Sequence, residues 1–113
     1  MTVSDRGFAA QIVAPGEEPL FFDDLGCLRE HLAAPDTPLP EDAAVYVADH
    51  RTGEWVDVRN AVFTRREGLA TPMASGLMAH ASAASRQEDE EARGGVRVPA
   101  SDILGRRFRG GGS

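Results

Sequence analysis

The sequence predicts an α+β fold, a small mixed-sheet domain whose two halves repeat a strand-strand-helix-strand order. Three observations lead there. Short apolar runs alternate with a period of two and are separated by Pro-Gly, Thr-Gly and Gly-Gly signals, as strands joined by turns require. Between them Leu25, Leu28 and Leu32 recur at helical spacing. A second helix-forming stretch over 82–93 takes the matching place in the second half, although no sequence self-similarity accompanies the repeated order.

Gly7 to Pro15 reads as the first strand, since Phe8, Ala9, Ala10, Ile12 and Val13 surround a lone Gln11 before Pro15-Gly16 turns the chain. Leu20-Phe21-Phe22 is the second. Asp23 or Asp24 offers a side-chain oxygen to the first amides of a helix spanning about Asp24 to Ala33. Pro35, Pro38 and Pro40 remove donors from the next stretch and make it a surface connection within the domain. Ala43 to Asp49 alternates around Val45 and Val47 as a half-buried strand, and His50-Arg51-Thr52-Gly53 turns the chain, with His50 serving that turn. Glu54 to Val58 and Ala61 to Arg65 follow as short strands bent at Asn60. Ser75 to Ala81 is a further strand, with Leu77, Ala79 and Ala81 on one face and Met78 and His80 on the other. Ser82 caps a helix running to Arg93, whose acidic run Glu88-Asp89-Glu90-Glu91 leaves almost no apolar stripe and reads as a solvated face, or else a low-affinity hard-cation site. Gly94-Gly95 ends it, Val96 to Val98 is the last strand, and Pro99-Ala100-Ser101-Asp102 opens a short helix with Ile103 and Leu104 inward. Phe8, Ala10, Ile12, Leu25, Leu28, Val45, Val47, Trp55 and Leu77 are expected to share one core.

At 113 residues the chain fits a single domain over 1–109, with 110–113 as a flexible tail or linker. Hydrophobic residues at 42% and charged at 27% suit a globular protein rather than a disordered one. The net charge of −6 disfavours a phosphate-backbone partner, so nucleic acid is excluded. All twelve cations are Arg, which leaves no lysine for Schiff-base chemistry, and one cysteine rules out an internal disulfide. No apolar run approaches the roughly 18 residues of a membrane span and the first residues lack a secretory pattern, so the chain as it stands is expected to be soluble.

No Gly-x-Ser-x-Gly elbow, phosphate-cradling glycine loop or His-Glu-x-x-His helix is present, and the sequence therefore points away from an enzyme. Metal binding is the chemistry it offers instead. Met73, between proline and small residues in a loop, has little packing reason to be there and is a thioether suited to Cu(I), or else a gap-filling methionine. Met78 and His80 extend that site if they are not simply a core methionine and an exposed or hydrogen-bonded histidine. Cys27 and His31 stand four apart on one helix face, a spacing that suits metals but also suits a small buried cysteine.

Gly7-Phe8-Ala9-Ala10-Gln11-Ile12, Phe21-Phe22-Asp23-Asp24-Leu25-Gly26-Cys27-Leu28, Val47-Ala48-Asp49 with Thr52-Gly53-Glu54-Trp55-Val56-Asp57, and Thr71-Pro72-Met73-Ala74-Ser75-Gly76 occur in this order. Together they resemble the NosL family, copper-binding accessory proteins of nitrous oxide reductase maturation. The resemblance covers roughly residues 7–81. It implies an α+β fold akin to organomercurial lyase, no catalysis, and an extracytoplasmic, membrane-associated protein that binds Cu(I) and passes it to a client cuproenzyme. The family's cysteine motif and lipid anchor lie upstream of its first strand, and Met1 stands where that motif's methionine is expected. The implied ligands are Met73 and Met1, with Cys27, Met78 or His80 added. Three positions depart from the family pattern: His80 replaces an aromatic residue, and Arg86 and Asp89 stand where the second helix is apolar. The alternative function is a metal-free, NosL-like structural or interaction domain.

Overall fold

The computed structural model describes residues 6–34, 42–69, 71 and 75–104. Its first half is built on β1 (Ala10–Val13), which pairs antiparallel with β2 (Leu20–Phe22) on one side and with β3 (Ala44–Ala48) on the other. Ile12 thus lies between Leu20 and Val45. β4 (Trp55–Asp57) joins the far edge of β3, giving the order β2-β1-β3-β4. Between β2 and β3 runs α1 (Leu25–Ala33), started by Asp24: its backbone is extended and its carboxylate accepts the Gly26 N–H at 2.7 Å, satisfying one of the free amides of the first turn. Leu25, Leu28 and Leu32 face inward, as the stripe predicts.

The second half repeats this plan. β5 (Val62–Arg65) is central, paired antiparallel with β6 (Leu77–His80) and β7 (Val96–Val98), and α2 (Ala83–Glu88) connects the two flanking strands. A four-residue α3 (Ser101–Leu104) follows β7. In both halves a strand, its hairpin partner, a helix and a return strand occur in that order, so the pseudo-repeat is a property of the topology. The sheets meet at one parallel bridge, Asp49 with Ala79, where the His50 N–H donates to the Ala79 carbonyl at 2.8 Å. Every strand pair within the sheets is antiparallel among the described residues.

The main core holds Ile12, Leu25, Leu28, Leu32, Val45, Val47, Phe63, Leu77 and Ile103. Two residues expected there lie elsewhere. Phe8 sits in a 3-10 turn (Arg6–Phe8) ahead of β1, outside the strand alternation, and packs in a second cluster with Met78, Ala92 and Leu69. Trp55 is half-buried because β4 is an edge strand and Val56 takes its core-facing position, which turns the neighbouring side chain to the other face.

Local chemistry also resets two boundaries. The strand after the Thr52-Gly53 turn ends at Asp57, which accepts the Arg59 N–H at 2.9 Å and starts a 3-10 turn over Val58–Asn60. The helix expected to reach Arg93 stops at Glu88: Asp89 is extended, accepts the Glu91 N–H at 2.9 Å and starts a 3-10 turn over Glu90–Ala92. Nor is the acidic run uniformly solvated, since Asp89 is buried. The proline connection over 35–40 and the tail over 110–113 lie outside the described residues.

Candidate metal centre

Asp49, the first residue beyond β3, ties three segments together. Its Oδ1 accepts the N–H groups of Arg51 (2.8 Å) and Thr52 (3.0 Å), while Oδ2 accepts the Ala81 N–H (2.7 Å) and the Ser85 hydroxyl (2.8 Å). Burial alone raises a carboxyl pKa, but these four bonds prevail and hold Asp49 below its ordinary range. Gly53, at φ 77°, closes the turn with its N–H on the Asp49 carbonyl at 2.7 Å. The turn after β3 is thereby fixed against the end of β6 and the start of α2, and His50 is carried on that fixed turn.

From there the His50 ring reaches Asp89. His50 Nδ1 lies 2.5 Å from Asp89 Oδ2, and His80 Nε2 approaches the same oxygen at 2.8 Å. One carboxylate oxygen thus faces two imidazoles while Oδ1 holds the Glu91 amide. Desolvation raises the Asp89 pKa, but the hydrogen bonds from His50 and His80 and from the Glu91 amide outweigh it, and the carboxyl is held below its ordinary range. The His80 side chain is fully buried and the Asp89 side chain nearly so, whereas His50 keeps 15% of its side chain exposed beside the Phe8 ring, 4.9 Å between centroids. His80 Nδ1 is buried with no hydrogen-bond partner. Since a carboxylate oxygen only accepts, Nε2 is the donor in the bond to Asp89.

These three donors, from a turn, a strand and a helix terminus, all lie within 4.8 Å of one another and could hold a metal ion. Metal–nitrogen bonds of about 2.0–2.1 Å place tetrahedral donors roughly 3.3 Å apart, so an ion entering here widens the His50–Asp89 separation by about 0.8 Å and the His80–Asp89 separation by about 0.5 Å.

The five ligands expected from sequence fare differently. His80 belongs to the cluster. Met78 shares its face of β6, as the strand alternation predicts, but is fully buried against Phe8 and Ala92. Cys27 is half-buried on α1, outside the cluster, with its thiol pKa raised by burial and by the carboxylates of Asp24, Glu30 and Asp23. Met73 and Met1 lie outside the described residues. The residues bracketing Met73 are anchored near the start of α1: Thr71 Oγ1 accepts the Ser75 N–H at 2.9 Å, and a Cβ on Gly26 would lie 2.7 Å from Ser75 Cβ.

Sequence reasoning missed His50, assigned only to its turn, and placed Asp89 in an acidic run read as a solvated face or a hard-cation site, without its two histidine partners. A signal was available in the departures from the family pattern. His80 and Asp89 are two of the three, and they bond each other; the third, Arg86, donates from Nε to the buried Thr64 hydroxyl at 2.6 Å. Polar residues at positions expected to be apolar have here acquired polar partners. Comparison with protein-family models, curated proteins and solved structures finds no match to the chain.

Proposed function

We propose that this protein is a metal-carrying accessory domain that binds copper at the His50–His80–Asp89 cluster and passes it to a protein partner, without catalysing a reaction. The observation that carries the reading is the convergence of two imidazoles and a carboxylate from three separate chain segments on one point, with one of them reaching the surface. Imidazole is a good copper ligand, and a site of three protein donors leaves a coordination position through which an ion can be exchanged. The resemblance to the NosL family supplies the rest: an extracytoplasmic setting, a client cuproenzyme such as nitrous oxide reductase, and Cu(I) as the delivered form, with Met73, Met1 and Cys27 as further soft donors. No helix among the described residues is long and apolar enough to cross a membrane.

A second reading, a metal-free interaction domain, draws on the same cluster, because Asp89 is already saturated by both imidazoles and the Glu91 amide. His80→Phe separates the two. An aromatic ring of similar size keeps the shape and removes both the Nε2 donor and the unpartnered Nδ1. Copper titration against a colorimetric chelator should give one ion per chain in the wild type and a marked loss in His80→Phe, with both proteins folded. Equal binding by the two removes the cluster from the copper site, and no binding by either favours the interaction domain.

A further inference from the structure

We propose that the cluster selects a borderline divalent ion, Cu(II) or Zn(II), over Cu(I), using His50 Nδ1, His80 Nε2 and Asp89 Oδ2 and leaving the fourth position open beside His50. The inference rests on the reading that the cluster holds metal and adds which ion it prefers, replacing at this site the Cu(I) that the NosL resemblance implies. When an ion binds, each ring gives up its hydrogen bond to Asp89 and carries its proton on the other ring nitrogen, so two imidazole nitrogens and one carboxylate oxygen make a donor set without sulfur. Soft Cu(I) favours thiolates and thioethers, whereas Zn(II) and Cu(II) accept imidazole and carboxylate together. Met78 is packed among Phe8, Ala92 and Leu69, and Cys27 is on α1, outside the group of donors.

Geometry fixes the mode of coordination. Asp89 Oδ1 is held by the Glu91 N–H, so Oδ2, the oxygen that both imidazoles face, is the ligand atom this carboxylate offers once an ion replaces the two hydrogen bonds. Asp49, the neighbouring buried carboxylate, already accepts four hydrogen bonds and is a positioning residue for His50 rather than a ligand. His80 forms the closed wall and His50 the accessible one, so the fourth ligand, water or a donor from a partner, approaches from the His50 side.

The test is a set of competition titrations of the full chain with Cu(II), Zn(II) and Cu(I), each against a chelator matched to that ion. His50→Ala and Asp89→Asn run in parallel, and circular dichroism verifies that each variant is folded. His50→Ala is the safer variant, because its side chain is partly exposed. Both divalent ions should bind one per chain more tightly than Cu(I), each variant should weaken them by roughly 10- to 100-fold, and Cu(I) affinity should stay unchanged. Cu(II) should also give an electron paramagnetic resonance spectrum with coupling to two nitrogens, reduced to one in His50→Ala. Tighter binding of Cu(I) than of either divalent ion overturns this inference while leaving the copper-carrier reading intact. Divalent binding that neither variant weakens places the ion elsewhere and overturns it too. Absence of binding by all three ions overturns both.

Discussion

Removing the Asp49 carboxylate should destabilise the protein more than removing any other single polar side chain described here. Asp49→Ala leaves three backbone N–H groups (Arg51, Thr52 and Ala81) and the Ser85 hydroxyl without their acceptor, at a site where the carboxylate is 1% exposed. A buried donor left unsatisfied costs about 1–3 kcal/mol, so four at the low end amount to about 4 kcal/mol. A chain of this length is stable by about 6–17 kcal/mol, and the loss corresponds to a fall in melting temperature on the order of 15 °C. Asp49→Asn should lose roughly half as much: its oxygen can still serve Arg51 and Thr52, and Ser85 can reverse its hydroxyl, but the amide NH2 faces the Ala81 N–H and two donors oppose each other. The pH dependence follows from the depressed carboxyl. Because the folded pKa lies below the ordinary value of about 3.9, the stabilisation is fully present above about pH 5 and disappears as the pH falls through the folded value. The gap in unfolding free energy between wild type and Asp49→Ala should therefore narrow below pH 4. Urea unfolding followed by circular dichroism at pH 7 and pH 3 measures both effects, and a variant that melts within two or three degrees of wild type at pH 7 refutes the reasoning.

Phe63→Ala, in the main core, should cost about 3–5 kcal/mol and Trp55→Ala distinctly less, since Trp55 is half-buried; equal losses in urea unfolding would return Trp55 to the core. Gly76→Ala should destabilise by at least about 2 kcal/mol, because Gly76 has φ 71° and the added Cβ would lie 2.9 Å from the Arg66 carbonyl; Gly16→Ala, at φ 76° in open space, should cost about 1 kcal/mol, and thermal melts that rank them in the reverse order contradict this. Amides of α2 should exchange faster than those of β3, which is paired on both edges, and equal protection by hydrogen exchange would show that the Ser85 and Arg86 side-chain bonds stabilise α2 more than its six-residue length suggests.

What could be read in the sequence was local. β1 and β3 carry their burial as a period of two, and α1 carries its as Leu25, Leu28 and Leu32, so each element announces its own inward face. Asp24 stood where a cap must stand. The order of elements even conveyed the doubled plan of the two halves. The break at Asp89 was hidden because its neighbours Glu, Gln, Arg and Ala are all good helix formers; what ends α2 is the Asp89 bond to the Glu91 N–H together with its bonds to His50 and His80 from elsewhere in the fold. The cluster was hidden for the same reason. Its members are separated by 39 and 9 residues along the chain, and only the meeting of the two sheets at Asp49 and Ala79 brings them together. Trp55 was misplaced because a short strand with apolar residues at adjacent positions does not say which one faces inward.

Whether His50 and His80 ligate a metal can be read directly from their ring nitrogens. The chain holds three histidines, and the third, His31, lies on α1 against Phe22 and serves as an internal control. One equivalent of Zn(II) added to 15N-labelled protein should shift His50 Nδ1 and His80 Nε2 together in imidazole NMR spectra, leave His31 unmoved, and produce no further change with a second equivalent. Ring resonances of His50 and His80 that stay in place, or a response confined to His31, would show that the cluster is a hydrogen-bonded clamp of the fold and not a metal centre.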